Sequence, residues 1–184
     1  MIRKSMELGF IILNPERDVS HLRHTWASVR RHYYGSEMVH ILPKEADARD
    51  MKEHKELCPS THRGGETEIS MINKGFQKSK SEWCVIVKAG SQLRGDMNFR
   101  FATHMTDEKD IFFPIAVGTA TDFIDASMNC LTINREFFKE IGDFAENTMW
   151  KSSEPDFNMF KMLWAGDALA KGGTFKAILG CYPR

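Results

Sequence analysis

The sequence predicts a single α/β domain built on a mostly parallel sheet, and three observations carry that expectation. The runs LGFIIL (8–13) and WCVIV (83–87) are continuously apolar, as strands covered on both faces must be. Between the strands lie segments with apolar residues at helical spacing, such as Val19, Leu22, Trp26, Val29 and Tyr33. The first strand, helix and second strand follow one another within about thirty-five residues, the length of one β–α–β unit.

Each element can be justified in turn. Asn14-Pro15 breaks the first strand, Asp18 caps the following helix and Gly35 ends it. Met38 to Leu42 forms the second strand, closed by Pro43. Lys44 to Arg63 is charged and weakly patterned and reads as a loop or short surface helix, punctuated by Gly64-Gly65. Glu66 to Lys80 is helical, with Ile69, Ile72 and Phe76 on one face, and leads into the strand Trp83 to Lys88. A polar helical segment (Gly95 to Lys109) then precedes IFFPIAV, where Pro114 indicates an edge or bulged strand. Ser127 to Asn134 reads as a strand and REFFKEI as a short helix ended by Gly142. Ser153-Glu154-Pro155-Asp156 starts a helix with Phe157, Phe160 and Trp164 on one face, and TFKAIL closes the sheet.

Composition narrows the function classes. A chain of 184 residues suffices for one well-cored domain, and 42% hydrophobic with 27% charged residues is ordinary for a globular protein. Lys+Arg and Asp+Glu are both 25, so no global field favours nucleic acid. Cys58, Cys84, Cys130 and Cys181 lie far apart without a CxxC pair, which predicts buried, reduced thiols and no structural metal. The opening MIRKSMELGFIIL is too short in its apolar part for a signal peptide, and no run approaches the ~18 apolar residues of a membrane span. The default expectation is therefore a cytoplasmic protein. No GxxxxGK[ST] or GxGxxG phosphate loop and no GxSxG elbow is present. His21 and His24, three apart on a helix, have no evident third ligand and read as a solvent-facing pair.

The order of the pieces resembles the family 2 glycosyltransferases. That resemblance rests on NKGFQKSKSEWCVIVKAGSQL, where Asn73, Gly75, Ser79, Ser81, Glu82 and Leu93 fall in register with the family's helix, strand and acidic corner. NCLTINREFFKEIGDFAEN is similar to the family's strand, short helix and "GGFDE" segment through Gly142, Phe144 and Glu146, with Asp143 in place of the second glycine. The likeness covers roughly Gly9 to Leu179. It implies a Rossmann-like nucleotide-diphospho-sugar transferase fold of the A type, with residues 8–93 as the nucleotide-binding half and 94–184 as the acceptor-side half of one domain.

The resemblance also implies a site. Asn14, Pro15 and Glu16 would meet the base, while Asn73 with Lys88, Ala89, Gly90 and Ser91 would meet the ribose and phosphates. Glu154, or Asp156 as second choice, would accept the acceptor's proton; the other reading is that both acids only stabilise the helix N-terminus. The departures matter as much. The second strand ends in Pro43-Lys44-Glu45 instead of an aspartate pair, and Lys88, Gly90 and Ser91 stand where the family keeps its metal-binding carboxylates. A lysine cannot hold a cation, but its ammonium can face a diphosphate directly. Mn²⁺ or Mg²⁺ is expected only with a substitute acidic site, and Asp122 and Asp125 read as ordinary loop acids. Three functions follow: a glycosyltransferase acting from a nucleotide-diphosphate donor on a hydroxyl of a glycan, lipid or protein acceptor; a degenerate relative that binds a nucleotide-sugar, glycan or protein without catalysis; and a nucleotidyltransferase of similar topology, against which the missing glycine-rich phosphate loop after the first strand counts.

Overall fold

The computed structural model describes residues 7–93, 95–115, 130–143 and 157–179. The first half alternates β1 (Leu8–Leu13), α1 (Val19–His32), β2 (Met38–Leu42), α2 (Ala48–Leu57), β3 (Thr61–Arg63), α3 (Glu68–Lys78) and β4 (Trp83–Lys88). The second half holds α4 (Met97–His104), β5 (Asp110–Ile115), β6 (Thr132–Asn134), α5 (Arg135–Ile141), α6 (Phe157–Ala170) and β7 (Thr174–Leu179). The strands form one 7-stranded sheet in the order β3-β2-β1-β4-β6-β5-β7. β1 pairs in parallel with both β2 and β4, whereas β6 runs antiparallel between β4 and β5.

Strand β1 shows why the sheet needs helices on both faces. Successive side chains point to opposite sides, and every residue of LGFIIL is buried. Leu8, Phe10 and Ile12 join the core beneath α1 with Leu22, Val29 and Tyr33. Ile11 and Leu13 join the core beneath α3 with Ile69, Ile72 and Phe76. Gly75 sets the closeness of that second contact, because a Cβ there would lie 2.2 Å from Ile11 Cγ2. Asp18 caps α1 by accepting from the N–H groups of Ser20 and His21.

Two expectations need correction. The 44–63 segment is not merely a loop or surface helix: it contains α2 and the edge strand β3, which pairs with β2 from His40↔Thr61 to Leu42↔Arg63. Pro114 lies not on an edge strand but in β5, which has neighbours on both sides: its described pairing with β6 stops at Phe112, while the pairing with β7 runs through Pro114↔Ile178 to Ile115↔Leu179. Cys58, Cys84 and Cys130 are buried and unbridged, and burial pushes the Cys84 thiol up to about 11. Cys181 lies outside the described residues. No described helix is long and apolar enough to cross a membrane.

Candidate functional site

The strand order reverses at β1, whose sequence neighbour β2 lies on one side and β4 on the other. In open α/β sheets such a switch point leaves a crevice outside the carboxyl ends of the strands. Leu13 pairs with Lys88 at that edge, and the Ala89 N–H extends the ladder by donating to the Leu13 carbonyl at 2.8 Å. The Asn14–Glu16 turn and the Lys88–Ser91 corner, both expected to meet a donor, therefore flank one crevice.

The turn after β1 is tied together by Asn14 itself. Its Oδ1 accepts from the Asp18 N–H at 3.2 Å, and its Nδ2 donates to the Asp18 carbonyl at 3.0 Å. Asn14 is buried, whereas Pro15 and Glu16 are exposed, with Glu16 Oε2 3.2 Å from His21 Nδ1. Beneath Asn14 lies a buried imidazole pair. His54 Nδ1–H donates to the Asp50 carbonyl at 2.8 Å, which leaves Nε2 to accept from Asn14 Nδ2 at 3.3 Å. The His54 ring stacks on His40 at 5.2 Å between centroids and 5° between planes. Thr61 donates its hydroxyl to the Cys58 carbonyl at 2.6 Å, so His40 Nδ1–H must donate to Thr61 Oγ1 at 3.1 Å. His40 Nε2 is then a bare acceptor, buried without a partner. Burial, reinforced by His54 and His62, lowers the His40 pKa to about 3.

The corner after β4 is bolted to α1. Gly90 has φ +95°, and its N–H donates to the His21 carbonyl at 3.0 Å. Ser91 N–H closes a turn onto the Lys88 carbonyl at 3.1 Å, and Thr25 Oγ1 donates to the Ser91 carbonyl at 2.9 Å. Ser28 Oγ accepts from Leu93 N–H at 2.7 Å, and the Tyr33 hydroxyl accepts from Met97 N–H at 3.3 Å. The N–H groups of Ala89, Gly90 and Ser91 are thus all engaged within the protein. Gly90 serves a left-handed backbone that fits the strap to α1 rather than close packing, since a Cβ added there would lie an ordinary 3.5 Å from His21 Cγ. The cationic group at the corner is the Lys88 ammonium, held 3.0 Å from Glu68 Oε1 with the two side chains 46% and 27% exposed. Glu68 opens α3, and sequence reasoning missed it because the partners come from different elements.

Asn73 is buried in α3, five residues beyond Glu68 and so about 7–8 Å down the helix from that rim. Helix α3 packs on the sheet face opposite α1. Glu154 and Asp156, like Asp122, Asp125, Phe144 and Glu146, lie outside the described residues. Helix α6 returns to the start of β7, which is parallel to β5, so it begins toward the carboxyl edge that holds the crevice. Ser79 and Ser81, which matched the family register, act at the opposite edge. Their hydroxyls donate to Glu37 Oε2 at 2.7 and 2.9 Å, and the Lys80 and Ser81 N–H groups both add a bond at 2.9 Å. Burial raises the Glu37 pKa, but these donors outweigh it and hold the carboxyl below its ordinary value.

The corner does not fit a divalent metal. It offers an ammonium, a glycine and a hydroxyl, and the adjoining carboxylate Glu68 is occupied by Lys88. Among the described residues no group of three or more His, Cys, Asp or Glu could hold a metal ion. His21 turns toward Glu16 and Asp18 while His24 Nδ1–H donates to the Ser20 carbonyl, so the two rings do not converge.

No protein-family model and no curated protein matches the sequence significantly. Solved structures do share the architecture. A 1–349 fragment of S. aureus TarS superposes over 97% of this chain with a TM-score of 0.61 at 8% identity, covering 59% of that chain. The longer S. aureus TarS structure gives 0.59 at 9% identity, again over 97% of this chain but 36% of its own. The bifunctional IspDF from Campylobacter jejuni gives 0.56 at 14% identity over 95% of this chain and 50% of its own. This chain thus spans between 36% and 59% of the length of these structures. The class is thereby defined: a mixed α/β domain with the nucleotide-diphospho-sugar transferase fold.

Proposed function

We propose that this chain binds a nucleotide-diphosphate sugar at the β1–β4 crevice and transfers the sugar to an acceptor hydroxyl. The observation that carries the reading is the convergence of the Asn14 turn and the Lys88 corner on the topological switch point. In the proposed reaction the bond from the anomeric carbon to the diphosphate breaks, and its electron pair leaves with the phosphate oxygen. The acceptor oxygen bonds to that carbon and its proton passes to a carboxylate, with Glu154 the first candidate and Asp156 the second. Lys88 exchanges Glu68 for the diphosphate and neutralises the charge that develops there. Pro15 and Glu16 flank the base, whereas Asn73, buried in α3 below the rim, is assigned no contact with the donor.

A second reading, binding without catalysis, is favoured by one observation: the corner's three N–H groups are engaged and Lys88 is already paired. One experiment separates the two. UDP-, GDP-, CMP- and dTDP-sugars are screened for thermal stabilisation with and without Mn²⁺, and each hit is tested for nucleotide release. A donor near a hundredfold its Kd raises the melting temperature by roughly 5–10 °C. Stabilisation with metal-free release, lost in Lys88→Ala, supports the transferase. Stabilisation without release under any condition supports a nucleotide-sugar-binding protein, and no stabilisation by any donor overturns the transferase in favour of a relative that binds a glycan or protein.

A further inference from the structure

Helix α2 anchors itself to the protein in an unusual way. A surface helix normally buries a stripe of apolar residues, but the one buried side chain of α2 is His54, 1% exposed. Its ring stacks on the equally buried His40, whose Nε2 has no partner. Such a pair costs more to bury than two apolar side chains of the same shape. Stability alone does not account for it.

The roles around His54 are set by backbone groups that cannot switch between donating and accepting. The Asp50 carbonyl only accepts, so His54 Nδ1 carries the hydrogen and Nε2 is a lone pair. The Asp18 carbonyl only accepts and the Asp18 N–H only donates, so the Asn14 amide turns Nδ2 to the first and Oδ1 to the second. One Nδ2 hydrogen is left over, and His54 Nε2 receives it at 3.3 Å. Turning the amide over would set donor against donor and acceptor against acceptor at Asp18. A second contact comes from one turn earlier on the same face of α2, where Asp50 Oδ2 accepts from Arg17 Nη1 at 3.3 Å. Arg17 closes the Asn14 turn, donating its N–H to the Asn14 carbonyl at 3.2 Å, with a φ of 59° that is costly for a non-glycine residue. Such a backbone persists where its surroundings over-determine it, and α2 supplies that constraint through Asp50 and His54. Asp18 in turn caps α1, whose first turn offers the His21 carbonyl to the Gly90 N–H at 3.0 Å. The line His54–Asn14–Asp18–His21–Gly90 therefore runs from α2 to both walls of the crevice.

We infer that His54 is a positioning residue for the crevice: its Nε2 lone pair orients Asn14 and, through Asp18 and the first turn of α1, sets the Asn14 turn against the Lys88 corner. The consequence for a ligand rests on the proposed donor site, whereas the ordering of the two walls does not. The test uses the full chain and compares His54→Leu, which removes the acceptor, with His54→Gln, whose amide oxygen can replace it. Thr61→Val is the control, because it removes a hydrogen bond of the same buried stack at the end away from Asn14. In ¹H–¹⁵N spectra without ligand, His54→Leu moves the Asn14 side-chain amide and the Asp18 and Gly90 N–H signals, and speeds exchange of those two backbone hydrogens by roughly tenfold or more. His54→Gln and Thr61→Val leave them near wild type. Equal loss of order in Thr61→Val, or an undisturbed Gly90 in His54→Leu, overturns the inference. The ring ¹⁵N signals of the wild type need no variant: a hydrogen on His54 Nε2 in the neutral ring also overturns it. A second arm uses whichever of the UDP-, GDP-, CMP- and dTDP-sugars stabilises the wild type most. His54→Leu raises its Kd, and the KM for nucleotide release, about tenfold with kcat within about twofold, as loss of ground-state positioning requires. His54→Gln returns the Kd to within about threefold of wild type. An unchanged Kd in His54→Leu overturns the consequence for the ligand. If no donor binds, the donor-site reading falls, and the spectra still decide whether His54 orders the two walls.

Discussion

Lys88 and Glu68 meet at 3.0 Å across the carboxyl edge of the sheet, one ending β4 and the other opening α3. An exposed pair of this kind contributes at most about 1 kcal/mol. Its ammonium is therefore available to a stronger anion. Glu68→Gln removes the competing carboxylate, so a nucleotide diphosphate binds roughly 3–5-fold more tightly, whereas Lys88→Ala weakens it about tenfold. Calorimetric titration of both variants checks this. Unchanged affinity in both would remove Lys88 from the donor site.

Gly75 makes a prediction about the fold rather than the site. In Gly75→Ala the new Cβ meets Ile11 Cγ2, a branched side chain in a fully buried strand with no space to yield. Overpacking of this kind costs about 1–3 kcal/mol. The expected loss in chemical denaturation is of that size, with an unchanged denaturant slope. Gly166 is a suitable control, since nothing lies within 4 Å of a Cβ there. Gly166→Ala is neutral or stabilising.

The contrast between these positions bears on what the sequence discloses. β1 and β4 were legible because both faces of each are covered, which demands continuous apolar runs. Helix α3 was legible through Ile69, Ile72 and Phe76, all buried on one face. Helix α2 was not, because its one buried residue is a polar one, His54; its signal was the capping box formed by Asp47 and Asp50. β3 was hidden by its length of three residues, one of them buried. At the site, local sequence located the two chain corners but not their occupants. The Lys88–Glu68 pair and the Asn14–His54–His40 stack join residues from separate elements, and no spacing along the chain encodes them.

Glu37 holds the amino-terminal edge of the sheet together, and its loss is expected to appear in stability rather than in ligand binding. Glu37→Gln places an amide N–H₂ among donors from Ser79, Lys80 and Ser81. Removing a charged acceptor from several donors costs about 1–3 kcal/mol, toward the low end because the carboxylate is half-exposed. The carboxyl is held below its ordinary 4.5, so its contribution is present above that pH and fades as the pH falls through the lower folded value. Stability of the wild type and Glu37→Gln should therefore converge in acid. A gap that stays constant from pH 7 to the acid limit would contradict the assignment.

His40 titrates in a higher window and by a different cause. Burial lowers its pKa from 6.5 to about 3, so between those values the unfolded chain binds a proton that the folded chain refuses. Stability is complete above 6.5 and is lost as the pH falls toward 3, at up to about 1.4 kcal/mol per unit. Lowering the pH from 7 to 5 thus costs roughly 2 kcal/mol through this one imidazole. His40→Phe preserves a ring stacked on His54 and removes the titrating group, so its stability profile should lose a slope of about one proton in that range. Glu37 adds nothing there, because its transition lies below 4.5. Denaturation of both proteins from pH 7.5 to about 4.5 measures the difference in slope, and NMR titration of the His40 ring reads the site directly. A wild-type imidazole that protonates near 6.5 in the folded chain, or parallel stability profiles, would show that the stack beneath Asn14 admits a proton and that its burial is not what sets the acid sensitivity of this fold.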